Sequence, residues 1–296
     1  MLLCPQCHKT IDDDEEEYTA DVLSSIKSQR EDYVSKMMQA SKPQRAYAVT
    51  VTCPIHGNAT EISRSEWSQA MAASSMAYVG NAEIKVMDCS KSSGSIEDDY
   101  VRLTKDIRSL RLTMDPSVPL AIFAIAPQPI LIVLGSLIGD KQQVTVFQKQ
   151  RETDSWCWQD VESRAAFKHD TVTASESTEV ALMFSVSGAI SKETLPAKLA
   201  DAKIPVLELQ ATEPSVNIAR TQEDVRSFER EAIALLDEVH SAMPSVEKVH
   251  IFPALPVSMA VTLGGIFNQN LLTKAVIYEK TDGKFSPSIE IGGNDD

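Results

Sequence analysis

At 296 residues the chain can hold one large or two ordinary domains, and 43% hydrophobic with 24% charged residues marks a folded protein, not a disordered one. A formal net charge of −14 excludes nucleic-acid binding through the average field and leaves only local anion contacts, at helix N-termini or single basic side chains. No apolar run suits a membrane span of roughly 20 residues, no signal peptide follows Met1, and 5 irregularly spaced cysteines fit a reduced, cytoplasmic setting.

Cys4 and Cys7 have zinc-knuckle spacing, which predicts two thiolates on a tight turn, with His8 directly after them. Two thiolates are half of a tetrahedral site. The acidic run Asp12–Glu17 reads as a solvated turn, since the Gly and distal Glu of an EF-hand are absent. An amphipathic helix follows from Thr19, with Val22, Leu23 and Ile26 on its apolar face. A linker is expected at Ser41–Gln44, then a strand at Tyr47–Val51 and a turn at Cys53-Pro-Ile-His56-Gly57. Cys53 and His56 either join Cys4 and Cys7 as a Cys₃His zinc site or belong to an ordinary turn. Next come a helix over Glu61–Tyr78, a strand over Glu83–Met87, a flexible loop at Ser90–Ser95 and a helix over Asp99–Leu112.

Leu120–Gly135 reads as a buried strand, a Pro-marked turn and an apolar helix, followed by the strand-like Val144–Phe147. Beyond Phe147 lie Gln148 and Arg151, then Trp156 and Trp158 at strand alternation. The two rings either pack the core edge or offer one face to a base. Asp170–Thr178 is a polar loop. Val180–Phe184 is a buried strand whose tip, Ser185-Val-Ser187-Gly188, is where ligands collect in parallel sheets. Ile204–Leu209 is another strand and Thr221–Met243 a long amphipathic helix. His250–Gly264 then repeats the earlier stretch: Phe252, Pro256, Leu263 and Gly264 echo Phe123, Pro127, Leu134 and Gly135, and the strand-like Ala275–Tyr278 follows. A frayed tail runs from Gly292 to Asp296.

A repeated βαβ unit with buried parallel strands predicts an α/β fold of two Rossmann-like halves facing each other, about residues 41–205 and 206–296. Each strand-to-helix turn offers backbone N–H groups and a helix dipole to a phosphate. Two such turns across a crevice suit a ring with two phosphates and two bases. At the first turn Gln128 can offer a donor and an acceptor to a base edge. At the second stand Pro253, Ala254 and Ser258, whose hydroxyl can donate to phosphate. Arg151 is either a phosphate or base-edge contact or a surface ion-pair partner.

Residues 2–33 resemble the end of an HNH nuclease domain, matching at Leu2, Leu3, Cys4, Cys7, His8, Ile11, Asp12, Tyr18, Thr19, Leu23, Lys27 and Glu31, with Arg30 where His is usual. From Phe123 onward the chain resembles the SAVED domain, the sensor of bacterial CBASS antiphage systems. That likeness is carried by Phe123–Gly135, Phe147-Gln148 with Arg151, Trp156 and Trp158, Ser185–Gly188 and His250–Gly264. In order, the two parts are similar to HNH–SAVED effectors.

The resemblance implies a remnant HNH ββα-metal domain over residues 1–40 and a SAVED domain of two fused CARF-like halves over 41–296. It implies a cyclic oligonucleotide ligand, a cyclic dinucleotide of the cyclic GMP–AMP type, made by a partner synthase. The ligand is expected to drive homo-oligomerisation and activate a DNA endonuclease that uses Mg²⁺ or Zn²⁺. Its binding set is expected among Gln128, Gln148, Arg151, Trp156, Ser185, Ser187, Pro253, Ala254 and Ser258. The metal set is Cys4, Cys7 and His8, and His8 alone remains of the catalytic residues. The general-base His and the Asn of that family lie upstream of the matched stretch, so the sequence as written is not expected to cut DNA. Three alternatives stand beside this reading: a Rossmann-like nucleotide-processing enzyme, a cyclic trinucleotide sensor without nuclease activity, and a zinc-dependent DNA adaptor. Against the first, no G-x-G-x-x-G or P-loop is present; against the third stand the acidic surroundings.

Overall fold

The computed structural model describes residues 5–14, 17–39, 43–53, 61–85, 96–139, 142–267 and 274–292. The chain begins with α1 (Pro5–Asp13), α2 (Ala20–Gln39), β1 (Gln44–Thr52), α3 (Arg64–Ala73), β2 (Met76–Lys85), α4 (Ile96–Thr113), β3 (Leu120–Ile125), α5 (Gln128–Ile138) and β4 (Val144–Val146). It continues with β5 (Phe167–His169), β6 (Glu179–Ser185), α6 (Ala197–Asp201), β7 (Val206–Ala211), α7 (Gln222–Ala242), β8 (Lys248–Ala254), α8 (Val257–Ile266), β9 (Lys274–Thr281) and β10 (Lys284–Ile291). The first sheet, β2-β1-β3-β4, is parallel throughout. The second, β10-β9-β8-β6-β7-β5, is parallel from β9 to β7 and antiparallel at both edges.

The units β1-α3-β2, β3-α5-β4, β6-α6-β7 and β8-α8-β9 make two Rossmann-like halves, as the repeat predicted. In α5 every residue from Pro129 to Ile138 is buried. A helix apolar on all sides must be covered on all sides, and α5 is covered by its own sheet and by α8 of the other half. The core is accordingly continuous across the halves, with Ile122, Ile132, Leu182 and Val261 in one cluster. On the far faces, Phe123 stacks on Phe147 with centroids 4.4 Å apart, and Phe252 on Tyr278 at 4.2 Å.

Four local expectations are corrected. The halves do not divide near residue 205. β6 pairs with β8 from Glu179↔Lys248 to Ser185↔Ala254, so the second sheet takes everything from β5 onward. The helix expected over Glu61–Tyr78 starts at Arg64, where Ser63 and Glu66 form a capping box, and ends at Ala73. Ser75 then takes the left-handed φ of 55°, and Met76 begins β2, ahead of the expected Glu83. At the N-terminus Pro5–Asp13 is helical and includes Cys7 and His8. Proline's fixed φ suits the first helical position, and His8 Nδ1 lies 2.9 Å from Asp12 Oδ2, one turn on. Trp156 and Trp158 lie in irregular chain, not on a strand. Cys4, His56, the Ser90–Ser95 loop and the tail beyond Gly292 lie outside the described residues.

Candidate functional site

The carboxyl ends of the parallel strands from both halves gather along one rim, where open α/β sheets place their ligands. Here α5 and α8 begin side by side. Their N-caps are Pro127 and Pro256, neither of which offers a capping side chain, so the first helical amides need other partners. Gln148, just past β4, supplies one: its Oε1 accepts from both the amide and the hydroxyl of Ser258, each at 3.0 Å. Gln128 reaches the other way, its Nε2 donating to the Leu255 carbonyl at 2.6 Å, while its Oε1 is buried with no partner among the described residues. The two turns therefore brace each other directly.

The segment after β4 straps the halves together. Gln150 N donates to Ser155 O at 2.7 Å and closes a small hairpin. Gln150 Nε2 donates to Ala219 O at 3.0 Å and Asn217 Nδ2 to Glu152 Oε1 at 3.0 Å, both joining the strap to the loop after β7. On the first half's side, Lys149 Nζ sits 2.6 Å from Glu66 Oε1 and 3.1 Å from Asp154 Oδ1. Burial opposes charge on both groups of the closer pair. The bonds from Lys149 and Ser63 nevertheless hold the Glu66 carboxyl below its usual pKa, and those to Glu66 and Asp154 hold the Lys149 ammonium above its own.

A family model described as "SMODS-associated and fused to various effectors sensor domain", SAVED, matches residues 101–291. The chain belongs to the SAVED family.

No curated protein sequence matches this SAVED chain. Among solved structures it is similar to the Acinetobacter baumannii Cap4 SAVED/CARF-domain containing receptor with the cyclic trinucleotide 2′3′3′-cAAA. The TM-score is 0.54 at 16% identity, covering 83% of this chain and 51% of that one. A second structure of the A. baumannii receptor gives a TM-score of 0.52 at 14% identity, covering 84% and 50%. At such identities the likeness establishes the fold, with its two CARF-like halves, and the chain spans about half the length of these receptors. β1 and β2 precede the family match yet complete the first sheet of the SAVED fold. No helix of the described residues is long and apolar enough to cross a membrane.

Of the residues expected to hold ligand, the SAVED fold brings Gln128, Gln148 and Ser258 together at the paired turns. Ser185, Ser187, Pro253 and Ala254 form the adjoining edge, where Val186 N and Ser187 N both donate to Ala254 O at 3.1 and 2.7 Å. Ser185 Oγ turns inward to accept from Ile190 N at 3.1 Å, and Ser185 is 1% exposed. Arg151 stands exposed on the strap hairpin. Trp156 is corrected: at 1% exposure, its ring edge-on to Phe123 at 5.4 Å, it packs the core and presents no face to a base. Trp158 stacks on Phe147 and lines a separate cavity of about 550 Å³ between β4, α7 and the later turns of α5 and α8.

For metal, Cys7 and His8 lie on α1 and Cys53 is buried at the end of β1. Among the described residues no cluster of three or more His, Cys, Asp or Glu is placed to hold an ion. No motif in the sequence joins Lys149, Glu66 and Asp154. A lysine between two glutamines carries no local mark of the carboxylates it meets, one of which is 83 residues away.

Proposed function

We propose that this SAVED chain is a receptor for a cyclic oligonucleotide second messenger in CBASS antiphage defence. The ligand lies at the carboxyl rim where α5 and α8 begin. The carrying observation is the cross-bracing of those two helix starts by Gln128 and Gln148, one helix from each half. A phosphodiester oxygen is the natural competitor for the place that Gln148 Oε1 holds on the Ser258 amide, because it brings full charge to the positive end of a helix dipole. Gln128, whose buried acceptor has no partner among the described residues, supplies the complementary polar edge for a base.

The ligand we favour is the cyclic dinucleotide of the cyclic GMP–AMP type implied by the HNH-like start. A trinucleotide is the second reading, since the A. baumannii relative is described with 2′3′3′-cAAA. Residues 1–40 would then be an HNH remnant and 41–296 the sensor. A synthase would make the ligand, binding would promote oligomerisation, and the complete effector would cut DNA with a divalent metal. Calorimetry of the full chain against a panel of cyclic di- and trinucleotides tests the receptor reading, and silence across the panel defeats it. Sedimentation with and without the bound member tests oligomerisation.

A further inference from the structure

Resting on that reading, we propose that Lys149 is the phosphate-pairing cation of the site, kept in reserve by Glu66 and Asp154 until a ligand phosphodiester replaces Asp154. Lys149 directly follows Gln148, the residue whose oxygen occupies the α8 amide, and the two share the strap that follows β4. Its two carboxylates hold it unequally. Glu66 is close, at 2.6 Å, and is itself fixed by the amide and hydroxyl of Ser63 at 2.9 and 2.7 Å.

Asp154 is farther, at 3.1 Å, its side chain is 89% exposed, and its backbone takes a left-handed φ of 48° that costs energy in a residue with a Cβ. An ion pair that exposed contributes little. Swinging the Asp154 side chain out frees a donor while Glu66 still anchors the ammonium. One cation beside two carboxylates is net negative at rest, so a stray anion is repelled. Only a ligand that engages the helix starts as well can displace Asp154. A lysine ammonium, a compact charge with three donors, suits a phosphate oxygen.

The test measures affinity of the full chain, at low and moderate salt, for whichever of a cyclic dinucleotide panel and 2′3′3′-cAAA the wild type binds. Asp154→Asn should bind about fivefold tighter with ligand-free melting unchanged. Lys149→Met should bind about tenfold weaker, with the salt slope reduced by about one phosphate contact, and Lys149→Arg should restore most of the affinity. If the wild type binds but Asp154→Asn and Lys149→Met match it in affinity and salt slope, Lys149 is only a strap and the inference is overturned while the receptor reading survives. Should Lys149→Met fail to fold, Asp154→Asn, which alters only an exposed carboxylate, decides alone. A wild type that binds no member of the panel removes the receptor reading and this one together.

Discussion

Gly135 of α5 and Gly264 of α8 meet backbone to backbone. A Cβ added to Gly135 would fall 2.9 Å from the Cα of Gly264 and inside contact distance of the Val261 carbonyl oxygen. A Cβ added to Gly264 would strike the carbonyl of Ile132. Gly135 and Gly264 occupy matching places in the internal repeat, as do Ile132 and Val261, so the two clashes are one contact seen from each side of a local two-fold axis. The glycines are there for close approach, and both helices have ordinary negative φ at them.

Gly135→Ala and Gly264→Ala are each expected to destabilise the fold by about 3 kcal/mol, because backbone and not a movable side chain stands in the way. Urea unfolding measures this. Gly283→Ala, where nothing lies within 4 Å but φ is +80°, should cost less, about 1 kcal/mol, from backbone strain alone.

Gln148→Ala removes the acceptor for two Ser258 donors, and Ser258 is 0% exposed. Burying unsatisfied donors costs about 1–3 kcal/mol. In a double-mutant cycle the pair Gln148→Ala and Ser258→Ala should show positive coupling through the hydroxyl, with the amide's loss remaining.

Asp224, third in α7, completes the capping box with the N-cap Thr221 and also binds the segment before β5. Its carboxylate accepts from Thr221 N at 2.7 Å, Thr221 Oγ1 at 2.9 Å, Arg220 N at 3.0 Å, Ser163 Oγ at 2.6 Å and Ala165 N at 3.3 Å. Burial pushes its pKa up, but the Ser163, Thr221 and Ala165 bonds outweigh burial and hold it below the ordinary 3.8. A depressed carboxyl contributes stability that is complete above the unfolded value and drains as pH falls through the lower folded value. Asp224→Ala should therefore cost about 2–4 kcal/mol near neutrality. In Asp224→Asn the loss of stability on acidification below 3.8 should be shallower than in wild type, read from urea midpoints across pH.

Trp156 and Arg151 separate packing from binding. Trp156→Ala should lose about 3–5 kcal/mol of stability, as a core tryptophan does. Arg151→Ala, on an exposed turn, should stay within about 0.5 kcal/mol of wild type in stability, and any effect on ligand affinity then reports contact directly.

The chain's periodicity was enough to specify two βαβ repeats, their buried strands and the all-apolar helices, because those features are written in neighbouring residues. Phe123 and Phe252, Pro127 and Pro256, Gly135 and Gly264 announce the duplication without any structure. Tertiary structure alone decided which strand joins which sheet, since β6 has the same buried pattern whether it pairs with β3 or β8. It alone made Gln148 a cap for a helix 110 residues away and gave Lys149 its carboxylates. It also turned Cys7 and His8 onto a helix and sealed Trp156 in the core. Such contacts depend on where two distant backbones come to rest, and a side chain's local sequence holds no record of that distance.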